Sequence, residues 1–313
     1  MLAFTPRQLI VSHNTFMFCA LILLLAPLQI NSSFQSVEAA LARGEYRRAI
    51  ELLGATPHRE ARWHALGSRA YDGLNDPARA VAEAEEALRL EPGNPAHHLQ
   101  LAQIFLSRNT PSAAFEIFEE ADGLFPNSFV IRLGKGLALK EMLRYQEAER
   151  ELAWCLSQRP DSEIAFDALA TVYLQQSRFA DARKAAAQFL EKNAAGYRGY
   201  YFLAAGREGD LLPTAETKRL LEEAVSRNPK FAAAHALMGK VLLRENQTSA
   251  AARYLRKAID LRPDLVQAHL RLARALRSMG DEAGARTEFE IVKRLKAKEQ
   301  EPLPSLRYHR GAR

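Results

Sequence analysis

The sequence predicts an all-α fold of stacked helical hairpins, and three recurring features indicate it. Proline recurs at intervals of 34 residues, at Pro92, Pro126 and Pro160 and again at Pro229 and Pro263. When each unit is numbered so that this proline is position 32, small residues recur at positions 8 and 20. Larger apolar residues stand at positions 7, 11 and 24. Small side chains let two helices approach closely, so each unit is predicted to be a packed helix pair.

The unit that begins at Ala232 shows why each repeat should contain two helices. His235, Met238, Gly239 and Leu242 fall at i, i+3, i+4 and i+7. In the second half of the unit, small and apolar residues between 251 and 258 fall at i, i+4 and i+7. Both spacings are typical of one face of a helix. Residues 245–248 are polar and reverse the chain, and Pro263 ends the second helix because it lacks a backbone N–H.

This pattern resembles the tetratricopeptide repeat, a helix–turn–helix unit with the same order of small and large residues and a terminal proline. The resemblance covers roughly residues 30–299 and implies a right-handed superhelical solenoid. A shortened first unit has Gly44 at its turn and Ala49 and Leu53 in its second helix. Full units are predicted to begin at Ala61, Pro95, Phe129, Glu163, Arg198, Ala232 and Val266.

Three of these units depart from the pattern. The unit from Glu163 has Ala194 in place of proline and is assigned a one-residue insertion. The unit from Arg198 has Thr217 at position 20, and the last unit has Ala297 in place of proline. We therefore expect an irregular bend in the middle of the array and a C-terminal helix that continues as a cap.

The N-terminal residues 1–32 differ in kind from the repeats. Residues from Thr15 to Ile30 carry no charge, and Arg7 precedes them. This arrangement is typical of a secretory signal peptide, and the stretch is shorter than a membrane-spanning helix requires. A retained membrane anchor and a buried packing helix stay open as alternatives. The sequence thus predicts a protein that is exported, periplasmic or secreted, or anchored in a membrane through this segment.

The sequence contains no motif of a catalytic or cofactor site. Hydrolase elbows, zinc-protease helices and phosphate-binding loops are absent, so we expect no enzyme, no cofactor and no small-molecule substrate. His64, His98, His235 and His269 all occupy position 4 of their units. Helices of neighbouring units lie about 8–10 Å apart, whereas zinc requires nitrogen ligands about 2 Å from the metal. This spacing does not bring these side chains together on one metal ion. We predict packing roles for them and for Cys155, and no metal site.

The resemblance implies that the first helix of each unit lines a concave groove through positions 2, 5, 9, 12 and 13, where partner segments bind. These positions include apolar residues in the units from Pro95, Phe129 and Glu163 and basic residues in the last two. The predicted groove residues are Leu99, Leu106, Val130, Leu133, Leu137, Ile164, Leu174, Lys240, Arg244, Arg274 and Arg277. The predicted function is a non-enzymatic scaffold that binds a partner protein's segment by apolar anchors and an acidic portion. The alternative is that the leucines are ordinary core residues and the arginines a solvated face.

A second candidate function is binding of nucleic acid or of an anionic surface by the basic C-terminal end. The net charge is +6, and residues 293–313 contain seven lysines and arginines against Glu299 and Glu301. Such clusters bind phosphates through counterion release. Aromatic and basic residues are not interleaved, and a signal peptide would remove the chain from cytoplasmic nucleic acid, so nucleic acid is the less favoured partner. Residues 300–313 are predicted to be a basic flexible tail.

Overall fold

The computed structural model describes residues 34–55 and 60–299, and this part of the chain contains helices and no strands. The prediction of an all-α fold of helical hairpins is confirmed. The sixteen helices are α1 Gln35–Ala42, α2 Tyr46–Gly54, α3 Ala61–Gly73, α4 Pro77–Leu90, α5 Pro95–Ser107, α6 Pro111–Leu124, α7 Phe129–Glu141, α8 Tyr145–Gln158, α9 Glu163–Gln175, α10 Phe179–Lys192, α11 Tyr197–Gly209, α12 Thr214–Arg227, α13 Ala232–Arg244, α14 Thr248–Leu261, α15 Val266–Ser278 and α16 Glu282–Glu299.

The described residues divide into two compact units, the first extending to residue 151 and the second from residue 152 to residue 299. The described part of the first unit contains α1 to α7, and that of the second contains α9 to α16. Helix α8 contains the boundary between them. The expected bend in the middle of the array and the right-handed superhelix stay predictions.

The hairpins keep a constant design. From α3 to α15, first helices span 13 residues and second helices span 14. The small residues expected at the helix contact are buried, and Gly239 shows why they are small. A Cβ atom at Gly239 would lie 2.6 Å from Cγ of Leu255, so α13 and α14 can reach this separation only without a side chain at that position.

Each turn within a hairpin places one residue in the left-handed backbone region. This position holds Gly44, Asn75, Asn109, Leu143, Ser177, Leu211, Asn246 and Gly280. Glycine and asparagine tolerate positive φ, and the residue that follows closes the helix end by bonding back, as the N–H of Asp76 does to the carbonyl of Tyr71 at 2.9 Å. Leu143 and Leu211 are unusual, because leucine is disfavoured at positive φ and both side chains are exposed.

The inserted residue lies at a different place from the one predicted. Helix α11 begins at Tyr197, which is 34 residues after the start of α9, whereas α13 begins 35 residues after α11. The extra residue therefore lies in the turn 210–213 between α11 and α12. Ala204 fills the small-residue position of α11 instead of Ala205, because Ala204 is fully buried and Ala205 is not. Thr217 keeps its predicted place and is buried in α12.

The remaining expectations about the chain ends have separate outcomes. The last helix continues as predicted, because α16 spans 18 residues. Cys155 is fully buried, as a packing role requires. The apolar segment between Thr15 and Ile30 and the tail 300–313 lie outside the described residues. Among the residues that the structure does describe, no helix combines the length and the apolar character needed to cross a membrane.

Candidate protein-binding surface

The leucines predicted as groove anchors are core residues in the first unit. Leu99 is 0%, Leu133 is 1% and Leu137 is 3% exposed, and Leu106 and Val130 are also buried. Helices α5 and α7 contact each other directly, so the side chains between them are withdrawn from solvent. The interpretation of these five residues as exposed partner anchors is corrected accordingly. Their apolar character serves the packing of neighbouring first helices.

Two apolar residues of the predicted set keep a partly open position in the second unit. Ile164 and Leu174, on α9, are both half-buried. Leu174 packs at the edge of the aromatic cluster in which the rings of Phe166 and Phe189 stack at 4.1 Å. This half-exposed apolar surface is all that the structure leaves of the predicted apolar lining.

The predicted basic residues lie on α13 and α15, and two of them, Lys240 and Arg244, lie beside one buried carboxylate. Glu208 of α11 is 2% exposed, and its Oε1 lies 3.5 Å from Nζ of Lys240. Its Oε2 lies 3.1 Å from Nη2 of Arg244, which also donates to the carbonyl of Leu212 at 2.9 Å. A carboxylate so buried is stable only beside positive charge. Arg274 is exposed on the same surface.

Arg277 is separated from this group by its own contact. Its guanidinium lies over the ring of Phe289 of α16, 5.6 Å from the ring centroid. This cation–π contact turns Arg277 towards the second helix of its own hairpin. Of the four predicted basic residues, the structure brings Lys240 and Arg244 together on Glu208, with Arg274 exposed nearby.

Arg271 of α15 belongs to the same cluster and was not predicted. Its side chain is half-buried, and burial lowers its pKa; the neighbouring Arg274 lowers it further, while Glu208 and Tyr201 act in the opposite direction. Sequence reasoning missed it because it stands at position 6, outside the positions assigned to the groove. The available signal was that α13 and α15 contain no acidic residue.

We name these residues the α13–α15 cationic cluster: Lys240, Arg244, Arg271 and Arg274, with Glu208. Next to it stands Tyr201 of α11. Burial raises the pKa of the Tyr201 phenol and Asp167 raises it further, whereas Arg262 and Arg271 lower it. Asp167 itself is held by Arg198 at 2.6 Å. The cluster therefore contains four cations and one carboxylate, an arrangement suited to an anionic ligand.

The position 4 histidines take packing and hydrogen-bonding roles within the described residues. Nδ1 of His64 lies 2.7 Å from Oε2 of Glu83, and Nδ1 of His269 lies 2.5 Å from Oε2 of Glu288. Each pair joins the two helices of one hairpin. Across residues 34–55 and 60–299, no three histidine, cysteine or acidic side chains come close enough to hold a metal ion.

The stacked hairpins define the class of protein, a helical-repeat protein. Comparison of the sequence with models of protein families identifies the kind of repeat. Models described as tetratricopeptide repeat match residues 66–129 and 242–302. These two segments are therefore similar to tetratricopeptide repeats, and the hairpins of the chain have the fold of tetratricopeptide repeat proteins. No curated protein sequence matches the chain.

Solved structures with the same fold support this assignment. A tetratricopeptide repeat protein from Parabacteroides merdae is 15% identical, with a TM-score of 0.62 over 75% of this chain and 93% of that one. Yeast Tom70 is 17% identical, with a TM-score of 0.67 over 90% of this chain and 65% of that one. The Cut9–Hcn1 hetero-tetramer of the APC/C is 16% identical, with a TM-score of 0.58 over 85% of this chain and 53% of that one. At these identities the likeness concerns the fold.

Proposed function

We propose that this protein is a non-enzymatic interaction scaffold that binds an acidic segment of a partner protein on the first-helix surface of its second unit. The observation that carries the proposal is the α13–α15 cationic cluster. Helices α13 and α15 contribute basic residues and no acidic ones, and the buried Glu208 is the carboxylate they share. An extended acidic segment would neutralise the surplus positive charge. The half-buried Ile164 and Leu174 of α9 would contact apolar residues of the same segment.

The fold supports a role in protein association. Tetratricopeptide repeats generally serve as protein-binding scaffolds, and one structure of this fold, Cut9–Hcn1, is a hetero-tetramer. First helices of stacked hairpins also present a continuous row of side chains to a peptide. Apolar anchors in the first unit are not part of the proposal, because those leucines lie in the core.

The test uses the full chain and a synthetic peptide of about twelve residues in which glutamate alternates with leucine. A peptide with glutamine at every glutamate is the control ligand. We expect the acidic peptide to bind, and the double variant Lys240→Glu/Arg274→Glu to weaken it by about tenfold or more in fluorescence anisotropy. The glutamine peptide should bind far less tightly.

A matched control variant separates local binding from net charge. Arg253→Glu/Arg256→Glu makes the same change in charge at two exposed positions of α14, a second helix. This variant should retain the affinity of the unmodified protein. If both double variants weaken the peptide equally, the acidic peptide responds to overall charge and the proposed surface is wrong.

A second function, binding to nucleic acid or an anionic surface, is favoured by the outer helices of the second unit. Arg253, Arg256 and Lys257 of α14 and Lys293 and Arg294 of α16 are exposed. Within the described part of the chain, none of the five makes an ion pair. If this function is correct, duplex DNA or vesicles with anionic lipid will bind with steep salt dependence, and Arg253→Glu/Arg256→Glu will weaken them more than Lys240→Glu/Arg274→Glu. No binding at low salt would remove it.

We also propose that the protein is exported, periplasmic or secreted, or held at a membrane through residues 15–30. The support is the uncharged stretch in the sequence. Mass spectrometry of the N-terminus after cell fractionation tests it. A soluble chain that begins near Ser33 indicates cleavage and export, and an intact Met1 in the membrane fraction indicates an anchor. An intact soluble chain would contradict both.

A further inference from the structure

Arg271 has the least satisfied charge of the α13–α15 cationic cluster. Its side chain is half-buried, yet within residues 34–55 and 60–299 its guanidinium makes no hydrogen bond and no ion pair. The cluster's carboxylate does not neutralise it, since Glu208 lies 3.1 Å from Arg244 and 3.5 Å from Lys240. Partial burial removes some of the water that would hydrate this guanidinium, and no group of the described residues replaces that water by a hydrogen bond.

The position of Arg271 within the repeat makes this arrangement specific to the last full unit. The equivalent residues in the preceding first helices of full units are Leu66, Gln100, Gly134, Ala168, Phe202 and Leu237. None of them is charged, so the repeat fold does not require a cation there. The hairpin of α15 and α16 would pack with an uncharged side chain at this position.

The surroundings of Arg271 add positive charge to it. Arg274, one turn further along α15, lowers the pKa of Arg271 after burial does. The other groups that act on Arg271 are Glu208 and Tyr201 of α11, of which Glu208 already serves two cations. The four cations of the cluster thus stand against one carboxylate, which leaves positive charge available for a second anion.

We propose that Arg271, together with Arg274 and Lys240, binds an oxyanion of the partner segment, either a carboxylate or a phosphate monoester. The planar guanidinium presents paired N–H donors that match the two oxygens of such a group. Arg274 and Lys240 supply the charge around it. This inference rests on the proposed function and specifies which chemical group of the segment the surface recognises.

Substitution of Arg271 should affect stability in opposite directions, depending on whether the residue binds a ligand or stabilises the fold. If Arg271 serves a ligand, Arg271→Met removes an uncompensated charge while it keeps the apolar part of the side chain. The melting temperature without ligand should then rise or stay unchanged. If Arg271 instead stabilises the fold, the same substitution lowers the melting temperature.

The experiment compares the unmodified protein with Arg271→Met, Arg271→Lys and the exposed control Arg253→Met. The probes are inorganic phosphate in a thermal-shift assay, and two labelled peptides with one central residue, glutamate or phosphoserine, in the same otherwise uncharged sequence. We expect phosphate to raise the melting temperature of the unmodified protein and of Arg253→Met, but not that of Arg271→Met. Peptide binding to Arg271→Met should weaken about ten- to hundredfold, the loss expected for a charged hydrogen bond. Arg271→Lys should keep part of it.

Each outcome decides the inference. Preference for the phosphoserine peptide identifies phosphate as the source of the oxyanion, and preference for the glutamate peptide identifies carboxylate. A lowered melting temperature in Arg271→Met with unchanged binding overturns the proposal, as does equal loss of binding in Arg253→Met. The oxyanion site can fail while the proposed function holds. If Lys240→Glu/Arg274→Glu abolishes binding of the acidic peptide while Arg271→Met leaves it unchanged, the surface is correct and the oxyanion site is wrong.

Discussion

Substitution of Leu133 distinguishes a core residue from a surface anchor. The sequence predicts Leu133 as part of a partner-binding groove, whereas the structure buries it to 1% exposure on α7. Leu133→Ala therefore probes the packing of first helices in the first unit. Leu143, in the turn that follows α7, provides the comparison because it is 66% exposed. Both substitutions remove the same atoms from very different surroundings.

The expected magnitudes follow from burial. Complete burial of a leucine side chain contributes about 1.5–3 kcal/mol, and the cavity left by truncation adds to the loss. Leu133→Ala should therefore reduce the free energy of unfolding by about 2–5 kcal/mol. Leu143→Ala removes apolar surface that is already in water, so its effect should stay within about 0.5 kcal/mol.

The assay is urea denaturation followed by circular dichroism, together with binding of the acidic peptide below the transition. We expect Leu133→Ala to shift the transition to lower urea and to bind the peptide normally while folded. The reasoning would be refuted by a change in stability below about 1 kcal/mol combined with loss of peptide binding. That result would identify Leu133 as the anchor that the sequence pattern indicates.

Three further substitutions test separate features of the hairpins. Leu211→Asn should raise stability by about 0.5–1 kcal/mol in thermal denaturation, because asparagine tolerates positive φ better than leucine, and an unchanged or lower stability would contradict this. Gly239→Val should reduce the free energy of unfolding by about 1–3 kcal/mol because its Cβ would overlap Leu255, and a stability equal to the unmodified protein would show that the helices separate freely. Asp76 accepts a hydrogen bond from the N–H of Arg79, which lowers its pKa, so its contribution is present above pH 4 or so and disappears as the pH falls through the folded-state pKa. Asp76→Ala should lose about 0.5–2 kcal/mol near neutral pH and flatten the acid limb of a stability–pH curve, and an unchanged acid limb would rule out this role.

The sequence was sufficient for the helices because their boundaries depend on local chemistry. Prolines, turn residues and apolar spacing act over a few residues, and the structure starts the first helix of every full unit but one at the predicted residue. The exception, α11, begins one residue early at Tyr197. A residue count cannot tell whether an insertion lies in the turn between hairpins or in the turn within one. Burial of Ala204 resolves it.

The residues of the candidate binding surface were harder to predict than the helices. Whether a side chain is exposed depends on the helices that pack against it, and these lie far away in the sequence. Leu99 and Leu137 have the composition of either a core or an apolar groove, and only the contact of α5 with α7 decides between them. Arg271 poses the opposite case, since arginine is usually read as solvated. Its partial burial beside Glu208 depends on the approach of α11, α13 and α15, which no spacing within one helix reveals.

The extra residue in the turn 210–213 shows where this chain can change its length. An additional residue inside a helix would rotate every later side chain by about 100° and remove them from the core. In the turn it leaves Ala204 and Thr217 buried on the two facing helices. The chain can therefore gain a residue in a hairpin turn without any change in how the helices pack. Leu211 in this turn is 70% exposed. A short epitope or a fluorophore attachment site could therefore be inserted beside it with little effect on the packing of the helices.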